Sequence, residues 1–434
     1  MTASATSKVT SDNVNGRRWG LVAAAVLLQL ALGAVYAWSV FSKALQATGN
    51  DFHLTKSEAA LPFSVSIGMI FIGTFVGGRI QDAKGPRAVA MGGGIIYAIG
   101  ILLAGLATSH GQLWLLVLGY GVIAGFGLGC GYIVPIAMLQ KWFPDHRGLI
   151  TGIAVGGFGF GAVLTSPVAQ ALIGHYAKVP TRAFLWLGAA YLVMVIVGAS
   201  FFRNPPAGYG VPGWTAPAHS AVVTTGRDFS LTEALRTPQW YLLTAILTLN
   251  VTAGIALISV AAAAASDIAG YSAAAAATLV GVMGLFNGGG RVFWGWVSTH
   301  IGRMTAFLCM LGVQALCFLL LPHISTAALF AVLTALVYLC YGGGFGTMPA
   351  TAGDFYGLRN AGAVYGLMIV GWSIGGVVGP LLVAALIHGK SYTLAFTTIG
   401  IIAAVALVLP IVTKPRNEAP ATAKISEKAS PATP

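Results

Sequence analysis

Twelve long apolar stretches follow one another along this 434-residue chain. A helix that crosses about 30 Å of hydrocarbon needs about 20 mostly apolar residues, and every stretch is at least that long. The composition agrees, because 57% of the residues are hydrophobic and 8% are charged, against about 25% charged in a soluble domain. We predict an all-α membrane protein with transmembrane helices at roughly 19–45, 57–79, 86–108, 112–140, 147–174, 182–203, 238–265, 272–299, 303–322, 326–351, 361–388 and 392–413.

The longest polar segment, 204–237, divides these stretches into two sets of six. It contains Pro205, Pro206, Pro212 and Pro217, and its composition gives no sign of a separate domain. The predicted organisation is therefore a tail at 1–18, a six-helix bundle at 19–203, a linker at 204–237, a second six-helix bundle at 238–413 and a tail at 414–434.

Positive charge is distributed unevenly between the predicted loops. When both termini are placed in the cytoplasm, 17 of the 23 Lys and Arg residues fall on the cytoplasmic side and 5 on the outer side, and Arg291 lies in a helix. This bias predicts a multi-pass protein of the bacterial inner membrane with both termini cytoplasmic. The net charge of +12 is spread over many loops, which argues against nucleic-acid binding.

No catalytic or metal-binding pattern stands out in the sequence. Cys130, Cys309, Cys317 and Cys340 all fall in apolar segments, where they do not form a disulfide or zinc framework. There is no candidate nucleophile–base pair, His/Cys/Glu metal cluster or phosphate-binding loop. We predict neither enzymatic activity nor a cofactor.

A loop motif occurs at equivalent places in the two sets of six. The second-to-third loop begins at Gly78 and continues through Asp82 and Gly85 to Arg87, in the pattern G-x-x-x-D-x-x-G-x-R. The eighth-to-ninth loop repeats the glycine spacing in Gly295–Gly302. This pair resembles the loop signature of the major facilitator superfamily. The resemblance implies twelve transmembrane helices in two six-helix halves and a secondary carrier that works by alternating access.

The same resemblance implies a conformational latch at the first copy of the motif, formed by Gly78, Asp82, Gly85 and Arg87. Asp82 can pair with a basic residue or cap the positive end of a neighbouring helix. A solvated charge in a turn is the alternative.

Arg291 is the residue that points to function. It lies in the eighth apolar stretch, eight residues before Thr299, which corresponds to about 12 Å into the membrane at 1.5 Å per residue. Burial there costs between about 2.5 and 17 kcal/mol, and no carboxylate is near it in sequence. The planar guanidinium matches a carboxylate, so an anionic solute is the predicted partner. A structural ion pair or snorkelling to the interface is the alternative.

The residues around Arg291 resemble a narrower family. The segment 286–295, Phe-Asn-Gly-Gly-Gly-Arg-Val-Phe-Trp-Gly, resembles the eighth helix of the bacterial oxalate:formate antiporter group, which is related to monocarboxylate transporters. The segments 36–38, 142–148 and 235–239 agree with it. This resemblance implies that Arg291 binds the substrate carboxylate and that aromatic residues line the cavity, namely Tyr36, Tyr132, Phe158, Tyr341 and Phe345.

Two positions depart from these relatives. Trp372 stands where oxalate carriers have a second positive charge, a lysine, and Asn287 stands where animal monocarboxylate carriers have an aspartate. We include both in the predicted substrate site, with Trp372 shaping the cavity. One fixed positive charge balances one negative charge. The prediction is a transporter of small monocarboxylates such as lactate, pyruvate or formate.

The sequence leaves the coupling mechanism open. All eleven acidic residues fall in predicted loops or tails, and the histidines lie at or near helix ends. Proton symport is the first expectation from the resemblance, with exchange and facilitated diffusion as alternatives. Exchange of oxalate for formate and a carboxylate sensor that does not transport are the rival functions. The expected partners are a small carboxylate, protons and the lipid bilayer, and we expect a monomer.

Overall fold

The computed structural model describes residues 11–206, 208–211, 227–387 and 391–414. Twelve long helical segments account for most of them. They are α1 (Arg18–Gln46), α2 (Lys56–Lys84), α3 (Pro86–Ala104), α4 (His110–Trp142), α5 (Arg147–His175), α6 (Pro180–Ser200), α7 (Pro238–Ala269), α8 (Ala273–Ile301), α9 (Arg303–His323), α10 (Ala327–Tyr356), α11 (Ala361–Leu386) and α12 (Thr393–Val412).

Eleven of these helices are long and apolar enough to span a membrane. The exception within the described residues is α8, which has 29 residues but contains Asn287, Arg291 and a run of glycines that lower its hydropathy. Its length and its packing between α5 and α10 make it the twelfth helix of the bundle. The all-α membrane fold that the sequence predicts is thus confirmed.

Several helices extend past their predicted ends. The helix of α1 begins at Ser11, α2 continues to Lys84 and α10 continues to Tyr356. The apolar pattern marks only the part in hydrocarbon, whereas the backbone remains helical in the polar turns beyond it. The expectation that every acidic residue lies in a loop or tail is therefore wrong. Asp354 lies inside α10 and is 2% exposed, and Asp82 lies in the last turn of α2.

Local sequence signals explain how several helices begin and turn. The Thr55 side chain accepts a hydrogen bond from the backbone N–H of Glu58, and the Glu58 side chain accepts one from the Thr55 N–H. This capping box opens α2. The two repeated loops also share a conformation, since Gly85 and Gly302 both have φ of +89°, a region that favours glycine.

The linker contains one short helix in its described part. Leu231–Leu235 begins with a second capping box, between Ser230 and Glu233. Hydrogen bonds from Ser230 hold the pKa of Glu233 below its usual value. Pro212 and Pro217 lie outside the described residues, as do the chain segments 1–10 and 415–434.

Three helices are irregular near the middle of the bundle. The α1 segment Gly33–Ala37 is a 3-10 helix, the α4 segment Val117–Ala124 is a π-helix and α11 has a turn at Ile369 between two α-helical parts. Irregular backbone inside a membrane protein occurs where it is buried in protein or lines a cavity. Two predicted site residues lie at these irregularities, since Tyr36 is inside the 3-10 segment of α1 and Trp372 follows the turn of α11 by three residues.

The two halves meet along α2 with α11 and along α5 with α8. We call the end of the bundle that carries the loops α2–α3, α4–α5, α8–α9 and α10–α11 the basic end, because Lys84, Arg147, Arg303 and Arg359 lie there. At this end Gly78 packs on the backbone of Gly362, and a Cβ at position 78 would overlap the carbonyl of Gly362. Glycine is required here so that the two halves can approach closely.

Hydrogen bonds between the halves are confined to one part of the described bundle. They join Arg147 to Asp354, Asp82 to the Ala363 N–H and Thr74 to the Gly366 carbonyl, all at or near the basic end, and otherwise they lie at the level of Arg291 and Trp372. At the opposite end the hydrogen bonds that join one described loop residue to another lie within one half, as in the pair Tyr392–Asp267. The basic end is therefore the closed end.

Candidate functional site

Arg291 lies at the centre of the bundle and is 1% exposed. Its backbone carbonyl is packed between Gly152 of α5 and Gly346 of α10, where no Cβ would fit. The guanidinium points to the interface of the two halves, not to lipid. Its Nη1 donates to the Val155 carbonyl at 3.2 Å and its Nη2 donates to the Tyr36 hydroxyl at 3.4 Å.

The remaining contacts of Arg291 are also with neutral groups. Its Nε donates to Asn287 Oδ1 at 3.4 Å, and its Cζ lies 5.6 Å from the ring centroid of Phe158 and 5.0 Å from that of Phe345. Among the described residues no acidic side chain forms an ion pair with it. Aromatic faces stabilise a cation by roughly 0.5 to 2 kcal/mol, so the positive charge is held in place without being neutralised.

The predicted aromatic residues form one cluster around this guanidinium, which we call the aromatic cage. Phe158 contacts Tyr36 and Tyr132, with ring centroids 5.3 and 5.1 Å apart. Trp372 lies 5.1 Å from Phe345 and 6.1 Å from Phe158. Tyr341 completes the cage through Phe345, at 5.4 Å. The structure thus brings together all eight residues that the sequence predicts for the substrate site.

The cage has a further member that the sequence reasoning missed. Tyr365 of α11 is 2% exposed, and its side chain lies beside that of Tyr132. A signal existed, because Tyr365 precedes Trp372 by seven residues and so shares its face of the helix. The resemblance did not point to this position.

Three polar groups of the cage have no hydrogen-bond partner in the described structure. They are the hydroxyls of Tyr132 and Tyr365 and the indole Nε1 of Trp372. An unsatisfied buried donor costs about 1–3 kcal/mol, and such groups are uncommon in native proteins. Together with Arg291 they make a site rich in donors, which suits an anion with oxygen acceptors.

Burial of the site is nearly complete. Tyr132 and Phe158 are fully buried, and Tyr341, Phe345 and Trp372 are 1% exposed. Tyr36 is partly exposed, so within the cage it is the member nearest to solvent. The arrangement is that of an occluded site with its remaining access beside α1.

Between the cage and the basic end lies a polar layer of side chains. Thr151 of α5 and Thr347 of α10 are fully buried, and their hydroxyls have no partner among the described residues. One and two turns further on are Arg147 on α5 and Asp354 on α10. These polar side chains thus lie between the cage and the closed basic end.

An ion cluster lies at the basic end of this layer. Asp354 accepts hydrogen bonds from Arg303 Nε at 2.8 Å and from Arg147 Nη1 at 3.2 Å. Arg303 also donates to the Ser298 hydroxyl at 2.6 Å. Arg147 belongs to the first half and Arg303 to the second, so the carboxylate joins the halves. Neither this pairing nor the burial of Asp354 was predicted.

The four predicted latch residues occupy different surroundings. Asp82 accepts a hydrogen bond from the Ala363 N–H at the start of α11, at 2.9 Å, and lies 3.9 Å from Lys141 Nζ. Gly78 makes the close approach to α11, and Gly85 makes the positive-φ turn. Arg87 is exposed, and no hydrogen bond or ion pair joins its side chain to another described residue. Three of the four predicted latch residues, Gly78, Asp82 and Gly85, therefore lie in the contact with α11 or in the turn beside it.

Comparisons with known proteins agree with this architecture. The family model of the Major Facilitator Superfamily matches residues 27–367 and 325–434. The chain is 29% identical to the oxalate:formate antiporter of Oxalobacter formigenes, with 94% of each chain covered. It is 29% identical to monocarboxylate transporter 13 of Bos taurus, over 78% of this chain and 76% of that one.

Solved structures show the same fold. A crystal structure of the E. coli transporter FucP in the outward conformation superposes with a TM-score of 0.69 at 16% identity, over 91% of this chain and 98% of that one. The repeated loop motif, the twelve helices and the family match together lead to one conclusion: this chain belongs to the Major Facilitator Superfamily, is a membrane transporter and not an enzyme, and is similar to the oxalate:formate antiporter and monocarboxylate transporter group.

Proposed function

We propose that the protein is a secondary active transporter that moves small monocarboxylates of the lactate, pyruvate or formate type across the bacterial inner membrane. The observation that carries this proposal is the guanidinium of Arg291, which is 1% exposed and, among the described residues, bonded only to neutral groups. A carboxylate that accepts two hydrogen bonds from it supplies the missing negative charge.

The charge of the site favours a monoanion. Arg291 is the one ionised side chain among the described cage residues, and Trp372 fills the position where oxalate carriers have a lysine. A second carboxylate in this cage would be desolvated without a counter-charge, at a cost of several kcal/mol. The close packing of seven aromatic rings favours a short carbon chain.

The closed basic end supports transport by alternating access. Basic loops lie on the cytoplasmic side of membrane proteins, so we assign the basic end, and with it both termini, to the cytoplasm. The protein is then closed toward the cytoplasm, and the latch of Asp82, Gly78 and Gly85 holds that state. One chain supplies the whole site, which fits a monomer.

Uptake by proteoliposomes tests the proposal. We expect the wild-type protein to carry labelled lactate or pyruvate into vesicles and Arg291→Gln to abolish uptake, because the carboxylate loses its cation. Arg291→Lys keeps the charge and loses the planar fork, so it should retain a small fraction of the activity. Circular dichroism checks that each variant is folded, and unchanged uptake by Arg291→Gln would refute the role of this residue.

Proton symport is the coupling that we propose, following the carriers that the chain resembles. A proton that moves with a monocarboxylate makes the transported pair electrically neutral. An inward proton gradient should therefore accelerate lactate entry several-fold, while a membrane potential alone should not. If entry ignores the proton gradient, exchange or facilitated diffusion replaces symport.

Exchange of oxalate for formate is the second candidate. The similarity to the oxalate:formate antiporter over 94% of both chains favours it, whereas the neutral Trp372 opposes it. Vesicles loaded with formate and supplied with labelled oxalate separate the two functions. Rapid oxalate entry that requires internal formate would make the protein an exchanger.

A further inference from the structure

The aromatic cage has two chemically different sides. Arg291 lies on the side formed by α5, α8 and α10, where its backbone is packed. Tyr132 of α4, with Tyr365 and Trp372 of α11, forms the other side. The rings of Phe158 and Phe345 contact both, since they lie 5.6 and 5.0 Å from the Arg291 Cζ and 6.1 and 5.1 Å from the Trp372 ring.

The α4–α11 side carries donors without acceptors. The hydroxyls of Tyr132 and Tyr365 and the indole Nε1 of Trp372 are buried and have no partner in the described structure. Tyr132 and Tyr365 interact electrostatically as neighbours, but neither hydroxyl has a partner that meets full hydrogen-bond geometry in the described structure. Each of these groups therefore lacks the bond that would offset its burial.

The chemistry of these donors restricts what they bind. An indole N–H only donates, and a tyrosine hydroxyl donates one hydrogen bond. None of the three groups is a cation, so this side does not neutralise a second carboxylate. An uncharged oxygen, such as a ketone or an alcohol, is the acceptor that satisfies them without leaving a buried charge.

We propose that Tyr365, Tyr132 and Trp372 are specificity-determining residues, which bind an uncharged oxygen of the substrate while Arg291 binds its carboxylate. The preferred substrates are then short 2-oxo and 2-hydroxy monocarboxylates, and unsubstituted acids such as propionate bind more weakly. This inference rests on the proposed function, because it assumes a carboxylate at Arg291. It also ranks formate, which has no second functional group, below pyruvate and lactate.

The expected difference in affinity between pyruvate and propionate follows from the number of donors left unpaired. A ligand without the second oxygen leaves buried N–H and O–H groups unpaired, and each one costs about 1–3 kcal/mol. Even one such group corresponds to a difference in affinity of about five-fold or more. We therefore expect pyruvate to bind at least about ten-fold more tightly than propionate.

Calorimetric titration of the purified full-length protein with pyruvate and propionate tests the inference. The wild-type protein should prefer pyruvate, and Tyr365→Phe should weaken pyruvate binding while leaving propionate binding unchanged, so that the ratio falls toward one. Tyr132→Phe should act in the same direction, which keeps the test valid if one variant does not fold.

Tyr338→Phe provides a matched control. Tyr338 of α10 is also buried, and its hydroxyl has no partner among the described residues, but it belongs to a separate apolar cluster in the second half. Its substitution should leave the pyruvate-to-propionate ratio unchanged.

The outcomes separate this inference from the proposed function. Equal binding of both acids by the wild-type protein, or equal weakening of both by Tyr365→Phe, would overturn the inference and leave the carboxylate site intact. If neither acid binds, both this inference and the proposed function fail. If the pyruvate-to-propionate ratio falls as much in Tyr338→Phe as in Tyr365→Phe, the effect comes from general packing and the inference is contradicted.

Discussion

Arg303 and Arg291 are buried to a similar degree, yet they have opposite surroundings. Arg303 is 6% exposed and its Nε lies 2.8 Å from a carboxylate oxygen of Asp354. Arg291 is 1% exposed, and its hydrogen-bond partners are a carbonyl, an amide oxygen and a hydroxyl. Each lies at the boundary between the two halves of the bundle.

The difference separates a structural arginine from one available to a ligand. In the Asp354 cluster the fold itself supplies the counter-charge, and the interaction joins helices. At Arg291 the fold positions the side chain without supplying a counter-charge from the described residues. Helices α5 and α10 fix its backbone, and aromatic rings hold its guanidinium. Burial alone therefore does not identify a binding residue, whereas burial without a counter-charge does.

Substitution of each arginine by glutamine should give the largest contrast. Arg303→Gln leaves the buried Asp354 with Arg147 alone, and loss of a buried ionic partner costs on the order of 3 kcal/mol. Arg291→Gln removes a buried charge that has no ionic partner in the part of the chain that the structure describes, so the stability without ligand should stay the same or rise. Thermal unfolding in detergent, followed by circular dichroism, measures both.

Arg227→Gln is the control for this pair of variants. Its ion pair with Glu233 is exposed, with side chains 49% and 42% accessible, and such a surface pair contributes little to stability. Equal destabilisation by Arg303→Gln and Arg291→Gln would make Arg291 a structural residue and remove the basis of the comparison.

A second charge in the cage should change its preference for anions. Trp372→Lys adds a cation to the α4–α11 side, so we expect oxalate affinity relative to that of a monocarboxylate to rise about ten-fold, a change of about 1.4 kcal/mol. Competition against labelled lactate measures this ratio, with the uncharged Trp372→Phe as control. If the ratio for Trp372→Lys matches that for Trp372→Phe, the charge argument fails.

The smallest expected effect concerns the latch. Asp82→Asn keeps an oxygen that can accept from the Ala363 N–H but removes a charge at a helix N-terminus, which is worth about 0.3–1 kcal/mol. The basic end should open more often. Alkylation of a cysteine placed at Thr347, in a chain without its native cysteines, should become a few-fold faster.

Arg87→Gln tests whether this effect is specific to the contact. Arg87 belongs to the same sequence motif, but it is exposed and has no ionic partner among the described residues. The Arg87→Gln variant should therefore leave the alkylation rate unchanged. If both variants accelerate alkylation equally, the motif acts through its general charge and not through the Asp82–Ala363 contact.

The sequence was sufficient for much of the fold and for the centre of the site. Apolar length determines where a helix crosses the membrane, so α3, α5 and α7 begin at the predicted residues, each at a proline or an arginine. Arg291 could be identified from the sequence because burial of an arginine in hydrocarbon costs free energy, so its presence there indicates a functional role. The aromatic partners came from resemblance, since an aromatic residue in a membrane helix has no periodicity that identifies a cage.

What the sequence did not reveal depends on pairing between distant helices. Asp354 lies beyond the apolar part of α10, so it resembled a loop residue until the helix was seen to continue to Tyr356. Its partners, Arg147 and Arg303, are far away along the chain and meet it only when the halves pack. Tyr365 was missed for the same reason, because its neighbour Tyr132 belongs to the other half.

Calorimetric titration of lactate into the wild-type protein and Arg291→Gln tests the central claim most directly. We predict saturable binding of one lactate per wild-type chain. In the variant, affinity should fall at least about 30-fold, because truncating one partner of a buried charge pair costs 2 kcal/mol or more. Binding of lactate by the folded Arg291→Gln protein with wild-type affinity would contradict the account.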